Sequence, residues 1–141
     1  NAITEKQRKI GIAEFGSSYG IAFGHGKLDI GAIQSPAVIR YVKRKIKNNS
    51  IVVLDAPPGT SCPVIEAVKG SDFVLLVTEP TPFGLNDLEL AVGVVRELKL
   101  PFAVAINRSD IGDDAVVRYC QQENIEVLIQ IPNDRKIAES Y

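Results

Sequence analysis

The sequence predicts an α/β fold of three layers, α/β/α, around a mostly parallel sheet. Three observations carry this expectation. Short aliphatic runs at 51–54, 73–78, 102–106 and 126–131 alternate with segments of helical periodicity. Apolar residues fill consecutive positions in each run, the pattern of strands covered on both faces. Links between elements are short, as in right-handed βαβ units.

At 141 residues the chain is sized for one domain with a real core. Hydrophobic content of 45% with 23% charged residues is globular and excludes a disordered chain. The formal net charge of −1 argues against a broad nucleic-acid footprint. No apolar run approaches the roughly eighteen residues of a membrane span, and no signal peptide opens the chain, so a cytoplasmic location is expected. Cys62 and Cys120 are too few for a disulfide framework or a zinc site, and reduced thiols are the reading. The chain starts at Asn1, lacks methionine and stops at Tyr141 within a helical pattern. A fragment of a longer protein is therefore expected.

Residues 1–12 are polar and basic without clear periodicity. Segments 19–23 and 27–30 are short strand candidates, broken by Gly24 and Gly26. Ser35-Pro36 starts a helix, with Ser35 as N-cap and Pro36 at its first position. Val38, Ile39, Val42 and Ile46 then share one face, leaving Arg40, Lys43, Arg44, Lys45 and Lys47 on a solvated one. The run at 51–54 follows as a buried strand, and 62–69 forms a short helix closed by Gly70. Strand 73–78 stops at Glu79-Pro80-Thr81-Pro82, where prolines deny the ladder two donors. A helix over 84–99 places Leu88, Ala91, Val92, Val95 and Leu98 inward. Pro101 forbids its extension. Strand 102–106 ends at Asn107, a helix spans 113–123, and strand 126–131 ends at Pro132.

Asp55-Ala56-Pro57-Pro58-Gly59-Thr60 is the most informative motif. A carboxylate at the carboxyl end of a buried strand sits where open α/β sheets place ligands, and it can hold Mg²⁺ directly or through water. Gly59 lets a backbone amide approach a phosphate. Other residues take structural readings. Asp110 is a turn residue or helix N-cap, Lys27 a loop lysine, and Cys62 a small packed residue. His25 is the sole histidine, a poor candidate for a metal site or triad, and Glu79 and Asp87 flank a helix start without chemistry.

Four motifs in order resemble the MinD/ParA-type P-loop ATPases: Asp55–Thr60, the run from Thr78-Glu79-Pro80-Thr81-Pro82 to Gly84-Leu85-Asn86-Asp87-Leu88, Ile106-Asn107-Arg108, and Ile131-Pro132-Asn133-Asp134. More narrowly they are similar to the subgroup with an inserted ferredoxin domain and a cobyrinic acid a,c-diamide synthase-like nucleotide-binding domain. The resemblance implies that Asp55 is the Walker B carboxylate that orients Mg²⁺ through its water shell. It makes Gly59 the switch glycine that senses the γ-phosphate of ATP. It further implies that Asn107 contacts the base while Pro132 and Asp134 lie in the loop against the adenine edge. Residues 1–12 become the exit of a ferredoxin-like insert and 13–141 a partial P-loop NTPase domain.

The family's Gly-rich phosphate loop with its Lys is absent here, as are the four thiolates of a [4Fe–4S] cluster. The resemblance places both upstream, with the strand that separates 51–54 from 73–78, so an incomplete sheet without tight ATP binding is expected. The implied function is the carboxyl-terminal part of a Mg-ATPase that couples ATP to a protein partner, acts as a homodimer and serves iron–sulfur or electron-transfer chemistry. A non-catalytic binding module of the same fold is the alternative, and an amide-forming synthase is a third.

Overall fold

The computed structural model describes residues 8–46 and 50–140, apart from the side chain of Ala138. It divides into two units, residues 1–57 with 61–67 and residues 58–60 with 68–141. Of the expected exit segment 1–12, residues 1–7 lie outside the described residues.

In the first unit, β1 (Gly11–Ser18) and β2 (Ile21–Leu28) pair antiparallel around Tyr19 and Gly20, both at positive φ. That two-residue turn matches the twist of a hairpin. The expectation of strands broken at Gly24 and Gly26 is corrected, because β2 runs through both and carries Lys27 in strand rather than loop. A Cβ at Gly24 would meet the Phe15 ring of β1, and one at Gly26 would meet Val38 of α1 (Ser35–Lys43). These glycines serve close approach rather than chain reversal.

Helix α1 has Pro in its first turn, but its N-cap is Gln34 rather than Ser35, with no side-chain cap bond. Two cations expected on a solvated face instead hold α2 (Cys62–Val68). Arg40 Nη1 donates to Glu66 Oε2 at 3.0 Å, and Lys43 Nζ donates to the carbonyls of Glu66 and Ala67 at 3.1 and 2.7 Å. A lysine on the last-turn carbonyls satisfies acceptors the helix cannot.

The expected buried strand at 51–54 is not formed. The segment belongs to no strand, and Ile51 and Val53 are 99% and 90% exposed. The pattern describes what a strand can bury, yet a strand exists only where a neighbour pairs its amides and carbonyls, and none among the described residues forms a ladder with it. Asp55 is therefore not at a strand tip.

The second unit carries the parallel sheet, β3 (Val74–Thr78), β4 (Phe102–Asn107) and β5 (Val127–Ile131), in the order β3-β4-β5. Helix α3 (Pro82–Glu97) connects the first pair and α4 (Ala115–Gln122) the second. Leu88 and Val92 of α3, Val104 and Ile106 of β4, and Val116 and Cys120 of α4 form one buried cluster with Ile125. Both helices thus cover the same sheet face, as crossovers of one hand require when strands are added in one direction. Central β4 is at most 3% exposed over residues 103–106. Leu75 and Val77, on alternate positions of β3, are 48% and 66% exposed. Thr81 caps α3 by accepting from the Gly84 amide at 3.0 Å, with Pro82 in the first turn.

Candidate functional site

Parallel register brings the strand tips of the second unit level. Thr78 lies opposite Ile106 and Asn107 opposite Ile131, so the loops leaving β3, β4 and β5 emerge at one end of the sheet. Open α/β sheets bind ligands at that end.

The first loop is held firmly. Buried Thr78 donates its hydroxyl to the Gly84 carbonyl at 2.9 Å, and Pro80 is buried beside it. Gly112 presses on the Pro80 carbonyl so closely that any side chain would collide. Arg108 Nε lies 3.6 Å from Glu79 Oε1, an exposed ion pair worth little energy.

The second and third loops are stitched together. Asn107 is half-buried at the end of β4, and Arg108 adopts a left-handed φ of 49°. The Ser109 amide donates to the Ile131 carbonyl at 2.9 Å, and the Asn133 amide donates to Asp110 Oδ1 at 2.6 Å. Asp134 accepts from the Lys136 amide at 2.9 Å and caps α5 (Arg135–Glu139). An Asp three residues past a strand tip signals a turn in the sequence, but not that its acceptor serves the next strand's loop.

Of the expected site residues, Asn107, Pro132 and Asp134 share this end, with Pro132 and Asp134 exposed. Asp55 falls in the first unit and Gly59 in the second. The Asp55 carboxylate is exposed and makes no hydrogen bond or ion pair among the described residues, so it is available to the water shell of a cation. Gly59 sits at φ 91°, a backbone that favours glycine, with nothing within 4 Å of where a Cβ would stand.

The cysteines do not fit an iron–sulfur cluster, which takes four thiolates. Cys62, the first residue of α2, is exposed, which corrects its expected packing. Cys120 is buried in the α3–α4 cluster, and burial pushes its thiol pKa up. Burial also raises the Tyr119 phenol, with Glu123 adding to it. No group of three or more His, Cys, Asp or Glu could hold a metal among the described residues. No described helix is long and apolar enough to cross a membrane.

No family model matches the chain, and no solved structure matches it. The chain is similar to an uncharacterized protein of Methanocaldococcus jannaschii, 33% identical over 99% of this chain and 49% of that protein. It is also similar to a protein of Pyrococcus horikoshii named iron-sulfur cluster carrier protein, 25% identical over 76% of this chain and 43% of the relative. A carrier of the same name from Pyrococcus abyssi is 25% identical over 63% of the chain and 35% of its own length. The chain spans about half the length of these relatives or less.

Proposed function

We propose that the chain is the carboxyl-terminal part of a MinD/ParA-type Mg-ATPase whose nucleotide state controls a protein partner in iron–sulfur or electron-transfer chemistry. The observation that carries this reading is the pairing of Asn107 with Ile131 at level strand tips, directly before the 132–134 turn. An amide donates and accepts on a purine edge, and Pro132 offers an apolar surface to its face. The relatives named as cluster carriers support the iron–sulfur theme.

In this reading Asp55 orients the water shell of Mg²⁺, which when bound neutralises phosphate charge. The Gly59 amide donates to the terminal phosphate, and losing that bond frees its loop. The phosphate cradle, the strand beside β3 and the cluster thiolates come from sequence outside residues 1–141. Residues 1–12 are the exit of a ferredoxin-like insert, and 13–141 form part of the nucleotide-binding domain. The protein works in the cytoplasm as a homodimer. A non-catalytic module is the second reading, favoured by the exposed 51–54 run, which presents apolar surface to a protein partner.

Titrating Mg-ATP into the full natural protein that carries this sequence tests the proposal, with the 141-residue chain in parallel. Micromolar affinity is expected for the full protein and not for the shorter chain. Asp55→Asn should then lower hydrolysis at least about tenfold, roughly 1.4 kcal/mol of barrier. A full protein that does not hydrolyse ATP, whether or not it binds nucleotide, selects the module.

A further inference from the structure

We infer that Asp110 is a positioning residue for the base shelf, its carboxylate locking the 132–134 turn in register with Asn107. This rests on the nucleotide reading above. The β4–β5 ladder ends at the Asn107–Ile131 pair. Beyond it the two chains would separate, each entering its own turn. Arg108 instead takes a left-handed backbone, a conformation uncommon outside glycine that persists where surroundings enforce it. Two contacts do the enforcing: the Ser109 amide on the Ile131 carbonyl, and Asp110 Oδ1 under the Asn133 amide.

The side chain of Asp110 thereby supplies the acceptor that a ladder carbonyl would have supplied one step earlier. Hydrogen bonds from an amide to a carboxylate are shorter and stronger than neutral ones, and 2.6 Å fits that class. The bond joins the loop that begins with Asn107 to the loop containing Pro132 and Asp134. An amide at the strand tip and an apolar ring on the next turn need such a tie, since the ladder ends at Asn107 and the 132–134 turn lies beyond it. The Asn107-to-Asp110 spacing resembles the guanine-reading element of GTPases, but here Oδ1 is aimed at the protein's own backbone.

Asp110→Ala and Asp110→Asn in the full natural protein separate the possibilities, because an Asn side-chain carbonyl still accepts from Asn133. Asp110→Ala should weaken Mg-ATP binding about tenfold while Asp110→Asn stays within about threefold of wild type. Turnover at saturating ATP should be unchanged in both. Hydrogen exchange at the Asn133 amide should quicken in Asp110→Ala alone, and an unchanged melting temperature in both shows that the fold is intact. Wild-type affinity in Asp110→Ala, or equal loss in both variants, overturns the inference. So does a wild type that prefers GTP and turns to XTP in Asp110→Asn, the signature of a carboxylate reading the base. A wild type that binds no nucleotide overturns the functional reading and this role together, whereas the other failures leave the functional reading standing.

Discussion

Single residues decide how rigid the strand-tip end is. Gly112 has no room for a Cβ against the Pro80 carbonyl, so Gly112→Ala should force the β4–α4 loop outward and cost about 1–3 kcal/mol. Thermal denaturation of the two proteins measures it. The two thiols make a second contrast. Exposed Cys62 should react with a thiol reagent in the native protein, and buried Cys120 only after denaturant is added. Burial raises the Cys120 pKa in the folded state, so that state keeps its proton when the unfolded chain has lost it. Stability tied to this thiol is intact below its ordinary value of 9.0 and declines as pH rises beyond it. Denaturant midpoints between neutral and strongly alkaline pH should fall, with a shallower fall in Cys120→Ala.

At the scale of elements, α3 was the most legible in the sequence, since Leu88, Val92 and Val95 recur at helical spacing and all three are buried. Its start was displaced because Thr81, not a residue near Gly84, provides the cap. Thr81→Ala should therefore cost about 1 kcal/mol, read as a lower melting temperature. The run at 51–54 shows where pattern reading fails. Four aliphatic residues state a capacity to be buried, but pairing is a property of two segments, and the partner is not in the pattern. Gly24 and Gly26 mislead for the opposite reason, because their purpose lies with Phe15 and Val38, residues distant in sequence. Among the site residues, Asn107 and Pro132 were legible as strand-ending residues. Asp110 was not, since its partner belongs to the following loop.

For the whole molecule, the two units differ in how much they bury. Ala67 is the one buried residue among those described in the first unit, whereas the second holds a cluster spanning α3, β4 and α4. Local opening free energies follow apolar burial and amide protection. Hydrogen exchange in the 141-residue chain should accordingly be fast across β1, β2 and α1 and slowest in β4. Equal protection in both units would contradict that. The central claim, that level strand tips in the second unit form a base shelf, is tested most directly by following backbone amides of the full natural protein during a Mg-ATP titration. Saturable shifts at Asn107, Ser109 and Asn133 at micromolar nucleotide are the result expected here. Nucleotide binding that leaves these three amides unmoved would contradict it.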